Sequence, residues 1–117
     1  MDKRALKREY KEARQPMGVY RVHNTVSDRS LVGSSVNVPA MLNRQKAQLT
    51  MCMHTNRALQ KDWTELGSGA FAFEVLDTLS PLDQPDYDTM RDLHALEEMW
   101  LERLSPFDER GYNRAPK

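Results

Sequence analysis

The sequence predicts a small α+β domain in which helices flank a three-stranded antiparallel sheet. β-Branched and aromatic residues between turn-forming residues predict strands over residues 18–24 and 30–33, and an alternating pattern predicts a third over residues 70–79. Apolar residues at helical spacing predict helices between the second and third strands and after the third. A chain of 117 residues has room for one hydrophobic core, so residues 16–117 are expected to form one domain.

The composition is that of a rather polar globular protein, with a formal net charge of zero and a mean hydropathy of −0.74. No apolar run approaches the roughly 20 residues that a helix needs to cross a bilayer, and the charged N-terminus is not followed by the apolar stretch of a signal peptide. A cytoplasmic location without a membrane partner is therefore expected. The single cysteine excludes an internal disulfide and a cysteine-built zinc site, and Cys52 is expected to be a packed thiol at a helix end.

The zero net charge hides an asymmetry along the chain. Residues 1–63 carry twelve Lys and Arg against five Asp and Glu, which is +7, so the remaining residues carry −7. Such a chain could present a basic face to a polyanion, and a solvated mixture of charges is an equally good interpretation.

Residues 1–15 are rich in helix formers, and their basic side chains recur at helical spacing: Lys3, Lys7, Lys11 and Arg14. A basic N-terminal helix is expected, either simply solvated or serving as an arm that faces phosphates. It ends at Pro16, because the residue before a proline avoids the helical region. Turn-forming residues between Asn24 and Asp28 then join the first two strands into a hairpin, with Tyr20 and Val22 on one face.

Polar residues mark the starts of the predicted helices in the core of the domain. Asn37 is expected to cap the first of them, with Gln45 inside its apolar stripe and Arg44 at the edge. The stripe is expected to bury Val38, Met41, Leu42, Leu49 and Cys52. A second helix is expected over residues 55–66, ended by glycines at 67 and 69. An acidic surface loop over residues 80–88 precedes a long helix, capped by residue 86 or 88 and running to residue 104.

Glu97 falls inside the apolar stripe of that last helix, four residues after Leu93 and three before Trp100. A carboxylate on a buried face is costly unless it is paired, hydrogen-bonded or bound to a metal. Two interpretations follow from the pattern alone: a glutamate at the rim that pairs with an arginine of a neighbouring helix, or a metal ligand.

An ordered set of short motifs covers residues 18–113. The first strand carries Gly18-Val19-Tyr20, the second ends in Leu31-Val32-Gly33, and Gly111-Tyr112-Asn113 comes near the end of the chain. Between them stand Ser34, Ser35, Asn37, Val38, Leu49, Asn56, Leu59, Gln60, Trp63, Phe71, Phe73, Val75, Leu76 and the run from Glu97 to Leu101. In order and spacing this set resembles the GIY-YIG nuclease superfamily, which includes homing endonucleases, some restriction enzymes and the excision-repair nuclease.

The resemblance implies a GIY-YIG-like domain that hydrolyses phosphodiester bonds of nucleic acid, with DNA as the expected partner and one Mg²⁺ or Mn²⁺ ion as the cofactor. In that family a glutamate binds the ion, tyrosines orient or deprotonate the attacking water, and an arginine stabilises charge on the phosphate. Tyr20 matches the first tyrosine, Glu97 the metal ligand and Asn113 the closing asparagine.

Three positions depart from the family pattern. The second tyrosine is Leu31, the arginine of the first core helix is Met41, and a histidine often found one turn later is Gln45. Loss of one charge-stabilising donor commonly costs about 100-fold to 1000-fold in rate. Arg44, three residues beyond Met41, is the candidate substitute, and its alternative is a solvated surface arginine.

Two functions therefore remain open from the sequence. The first is a nuclease-like domain with weak hydrolysis or rearranged residues, whose site residues are Tyr20, Arg44, Glu97 and Asn113. The second is a catalytically inactive module that keeps the fold to bind nucleic acid or protein. His54 and His94 are expected to be surface or capping residues, outside the site.

Overall fold

The computed structural model describes residues 16–80 and 88–114. Its strands are β1 (Met17–Asn24), β2 (Ser30–Ser35) and β3 (Phe71–Leu79), its helices are α1 (Val38–Thr50), α2 (Arg57–Leu66) and α3 (Thr89–Leu104), and short 3-10 turns span Ser68–Ala70 and Asp108–Arg110. The predicted basic helix over residues 1–15 and most of the predicted acidic loop lie outside the described residues. Within the described part of the chain, no helix has the length and apolar character that crossing a membrane requires.

The three strands form one antiparallel sheet in the order β2-β1-β3, which confirms the predicted α+β architecture. Tyr20 on the central strand pairs with Gly33 and with Val75, and a bulge interrupts the β1–β3 pairing just before it, between Val19 and Tyr20. β2 continues two residues beyond the predicted end, to Ser35. Because side chains alternate along a strand, Tyr20 and Val22 share one face of the sheet, as predicted.

Helices α1 and α2 cover that face and enclose the hydrophobic core. Its buried members are Val22, Leu49, Leu59, Trp63, Phe71 and Tyr112. The Trp63 ring lies 5.2 Å from the Phe71 ring, centroid to centroid, and 6.0 Å from the Phe73 ring. Leu31, at the position of the second tyrosine of the family motif, packs against this cluster.

Helix α3 covers the opposite face of the sheet. Val19 and Val32 point to this face and are buried. Asp77 of β3, which pairs with Val19, accepts a hydrogen bond of 3.1 Å from the Trp100 indole of α3. The sheet is therefore enclosed by helices on both sides, and Arg21 and His23 lie on the face of β1 opposite Tyr20.

Side-chain caps fix the start of each helix. The Asn37 side chain accepts from the Ala40 N–H and the Asp88 side chain from the Arg91 N–H, as predicted for both helices. Asn56 caps α2 in the same way, so that helix begins at Arg57 rather than near residue 55. The expectation for Cys52 is wrong: α1 ends at Thr50, and Cys52 is exposed in a left-handed conformation (φ 58°) beyond it.

The segment after α3 returns to the sheet and to the start of α2. The Tyr112 N–H donates to the Ser30 carbonyl at 2.8 Å, and the Tyr112 carbonyl accepts from the Asn56 side chain at 2.7 Å. The Tyr112 hydroxyl donates to Asp62 at 2.6 Å, and the Arg29 guanidinium, which also pairs with Asp62, lies 4.7 Å from the Tyr112 ring centre. These contacts hold the C-terminal segment against the free edge of β2.

Candidate active site

Tyr20 sits at the centre of the sheet with its ring against a glycine. The side chain is buried, with 6% of its surface exposed. A Cβ atom added at Gly33 would lie 2.5 Å from the Tyr20 hydroxyl oxygen, closer than real Cβ contacts allow. The missing side chain at Gly33 is therefore what leaves room for the phenol, and the pairing of β1 with β2 brings the two residues together.

Glu97, from α3, is close enough to act electrostatically on Tyr20. Burial raises the pKa of the Tyr20 phenol above its usual value, and the negative charge of Glu97 raises it further. The phenol is therefore neutral at physiological pH and can donate its proton in a hydrogen bond. Glu97 itself is partly buried, and within residues 16–80 and 88–114 no ion pair engages it, so the arginine partner of the rim interpretation is not found there.

Gln45 approaches the Tyr20 hydroxyl from α1. Its Nε2 lies 3.4 Å from the Tyr20 oxygen and 3.6 Å from the Met41 sulfur, so its amide hydrogens face both groups. Its Oε1 contacts the ring Nε2 of His54, a residue in the loop between α1 and α2. Met41 and Gln45, which stand where the family pattern has an arginine and a histidine, thus contact each other.

The hydrogen bonds of His54 determine its tautomer. The Nδ1 atom accepts from the Asn56 backbone N–H at 3.0 Å, so it carries no proton. The neutral ring then has its proton on Nε2 and donates it to Gln45 Oε1. Burial lowers the pKa of His54, which favours this neutral ring.

Arg44 lies on the exposed surface of α1, next to Gln45 in sequence. In the described part of the chain no ion pair holds its guanidinium. Among residues 16–80 and 88–114, no hydrogen bond or ion pair joins Arg44 to Tyr20 or Glu97, and its place in the site stays a prediction.

Asn113 binds the backbone of β2 one residue before Gly33. Its Oδ1 accepts from the Val32 N–H and its Nδ2 donates to the Val32 carbonyl, both at 2.8 Å. These two bonds engage both the oxygen and the nitrogen of the amide. Asn113 therefore lies beside the strand that supports Tyr20, with its side chain committed to the protein.

The sequence does not predict the contact of His54 with Gln45, because it indicates a surface or capping histidine outside the site. It stands beyond the end of α1, where helical spacing no longer relates it to Gln45. The signal available was Gln45 itself, a polar side chain inside an apolar stripe, which needs a hydrogen-bonding partner when it is buried.

The donor set limits the kind of metal site that these residues could form. Among the described residues, no group of three or more His, Cys, Asp and Glu side chains is placed to hold an ion. Glu97 alone supplies one hard oxygen donor, which fits Mg²⁺ or Mn²⁺, because such ions are commonly held by one or two carboxylates with water and substrate phosphate completing the shell. As a single carboxylate donor, Glu97 is compatible with a metal of this kind.

Comparison with known proteins identifies the fold. No protein-family model and no curated protein matches the sequence. Two solved structures match the fold of the chain. The first is the catalytic domain of the homing endonuclease I-TevI, at 23% identity and a TM-score of 0.68, and the match covers 86% of this chain and 99% of that domain. The second is a mutant of the catalytic domain of the intron endonuclease I-TevI, at 20% identity and a TM-score of 0.69. This match covers 85% of the present chain and 93% of the mutant domain. The chain therefore has a GIY-YIG-like fold, shared with these endonuclease catalytic domains.

Proposed function

We propose that this domain is a metal-dependent nuclease that hydrolyses phosphodiester bonds in nucleic acid, DNA first. The observation that supports it most is the placement of the Tyr20 phenol, which is buried over Gly33 and lies 3.4 Å from the Gln45 amide. The negative charge of Glu97, on α3, acts on the same phenol. A neutral phenol, together with a partly buried carboxylate that no ion pair engages within residues 16–80 and 88–114, is a combination suited to positioning water and phosphate near a divalent ion. The GIY-YIG-like fold supports the same function.

In this proposal Tyr20 orients the reacting groups. Its hydroxyl oxygen accepts a hydrogen bond from Gln45, which leaves its own proton free for the attacking water or a phosphate oxygen. The phenol acts as a donor rather than as a base, because burial and Glu97 both oppose its ionisation.

Glu97 is the proposed metal ligand, and Arg44 and Asn113 are proposed to complete the site. When bound, a Mg²⁺ or Mn²⁺ ion supplies a positive charge that stabilises the negative charge developing on the phosphate. Arg44, exposed on α1 beside Gln45, would supply a guanidinium fork for the phosphate oxygens. Asn113 would act through Val32 by holding β2, and with it Gly33, against Tyr20.

A second function, an inactive module that binds nucleic acid or protein on the same fold, is favoured by two apolar side chains. Leu31 packs on the core and Met41 contacts Gln45 where the family has a hydroxyl and a cation. These residues preserve the packing of the domain and contribute no hydrogen bond or charge to a phosphate. Binding to DNA with a steep salt dependence but without cleavage would support this second function.

Nicking assays distinguish the two functions. The chain would be incubated with supercoiled plasmid, single-stranded DNA and RNA, in Mg²⁺, in Mn²⁺ and in chelator. We expect metal-dependent cleavage that falls about 100-fold or more in Glu97→Gln, which keeps the size of the side chain and removes its charge. Glu98→Gln, one residue away and exposed, is the matched control and should cleave like the wild type. Inert wild type on every substrate, or full activity of Glu97→Gln, would contradict the nuclease.

A further inference from the structure

The loop between α1 and α2 is fixed at His54 by one hydrogen bond to its backbone and one to its ring. The His54 N–H donates to Gln60 Oε1 at 3.1 Å, and Gln60 Nε2 in turn donates to the Leu49 carbonyl at 3.0 Å. The ring Nδ1 accepts from the Asn56 N–H at 3.0 Å. Backbone and ring are thus both held, which leaves Nε2 directed at Gln45.

A glutamine amide can be placed in two orientations that differ in which end donates. Because Nε2 of His54 carries the ring proton, only the oxygen of Gln45 can face it. The NH₂ end must then face Tyr20 and Met41. In the opposite orientation, the Gln45 oxygen would accept a hydrogen bond from the Tyr20 hydroxyl. The hydroxyl could then no longer donate that hydrogen bond to the substrate.

We propose that His54 is a positioning residue of the reaction: it orients the Gln45 amide so that Tyr20 accepts from the protein and donates to the substrate. The inference rests on the proposed nuclease function and gives a role to a residue that the sequence alone placed outside the site. His54 acts through Gln45 and touches neither the phosphate nor the metal ligand Glu97. Its effect is therefore on the direction of one hydrogen bond at Tyr20.

Two substitutions of His54 separate its two hydrogen bonds. His54→Gln keeps a donor near the position of Nε2, so it should retain the orientation of Gln45 and most of the activity. His54→Asn keeps an acceptor near the position of Nδ1 for the Asn56 N–H, so it should fold, but it cannot reach Gln45. We expect cleavage by His54→Asn to fall about tenfold, the effect of one lost hydrogen bond. His94→Asn, at an exposed histidine of α3, is the control.

A second measurement does not depend on cleavage. Carbon-13 labelling of the tyrosine rings, with Tyr20→Phe used for assignment, follows the ionisation of Tyr20 by NMR in the metal-free protein. Since the bond from Gln45 favours the ionised phenol, its loss should raise the pKa of Tyr20 in His54→Asn and not in His54→Gln. Gln45→Met should raise it as well, and adding His54→Asn to Gln45→Met should change nothing further.

The outcomes separate this inference from the proposed function. If the wild type does not cleave but the titration of Tyr20 moves as described, the nuclease proposal fails and the role of His54 in orienting Gln45 stands. If the wild type cleaves and His54→Asn leaves both the rate and the titration unchanged, the role of His54 is wrong. Should His54→Asn fail to fold, Gln45→Met still tests the bond: an unchanged Tyr20 titration in that variant would also overturn the inference.

Discussion

The side-chain amide of Asn113 hydrogen-bonds both the N–H and the carbonyl of Val32, each at 2.8 Å. It thereby pairs with the outer edge of β2 as a neighbouring strand would. Val32 precedes Gly33, whose backbone lies under the Tyr20 ring. The C-terminal segment and the candidate active site are thus joined through one strand.

Asn113→Asp should destabilise the domain, because a carboxylate can accept from the Val32 N–H but cannot donate to its carbonyl. We expect a loss of about 1–3 kcal/mol in the free energy of unfolding, measured by urea denaturation. Asn43→Asp, at an exposed position of α1, is the matched control. Equal stability of the two variants would mean that the Val32 contacts contribute little.

Gly33→Ala should disturb Tyr20 directly. The new methyl group would lie 2.5 Å from the phenol oxygen, so the ring must move, and we expect a cost of about 1–3 kcal/mol together with reduced cleavage. Gly69→Ala is the matched control, since a Cβ there has no atom within 4 Å. Thermal unfolding and tyrosine NMR would measure both effects, and an undisturbed Tyr20 signal in Gly33→Ala would contradict the packing argument.

Tyr112→Phe should show that a buried phenol stabilises the domain in a pH-dependent way. Burial, with a hydrogen bond to Asp62 as the next cause, raises the pKa of Tyr112 to about 12. Since this pKa lies above the unfolded value near 10, the contribution is complete below pH 10 and is lost as the pH rises toward 12. We expect Tyr112→Phe to lose about 1–3 kcal/mol at pH 7, and the gap to the wild type to narrow above pH 10. A gap that stays constant from pH 7 to pH 11 would show that the hydroxyl is not responsible.

Leu31→Tyr combined with Met41→Arg restores the two side chains that the family pattern has at these positions. If the nuclease is limited by their absence, the double variant should cleave about 100-fold to 1000-fold faster in Mg²⁺, because a donor and a cation return to the phosphate site. Adding Glu97→Gln to the double variant supplies the control and should abolish the gain. A double variant that folds, as judged by circular dichroism, and gains no activity would indicate that Leu31 and Met41 do not limit the reaction.

The parts of the fold that the sequence predicts are those set by local chemistry. The alternation on β3 and the caps at Asn37 and Asp88 depend on neighbours a few residues away, and the structure has them where expected. Helical spacing likewise places Glu97 inside the apolar stripe of α3, where the structure has it partly buried, and its role as a metal ligand stays a prediction.

The parts that the sequence does not predict depend on how loops return to the sheet. Cys52 is exposed and His54 meets Gln45 because α1 stops at Thr50 and the chain turns there through a residue with positive φ. No periodicity extends across such a turn. The Asn113–Val32 pairing joins residues 81 apart in sequence, so it too requires the folded chain.

The central position of β1 determines how the candidate site responds to thermal motion. β1 is paired on both sides, so the amide hydrogens around Tyr20 can exchange with solvent only when a large part of the domain opens. Arg44 lies in α1, whose hydrogen bonds can open locally without separating the strands of the sheet. In hydrogen–deuterium exchange we therefore expect the backbone amides around Tyr20 to exchange more slowly than those around Arg44.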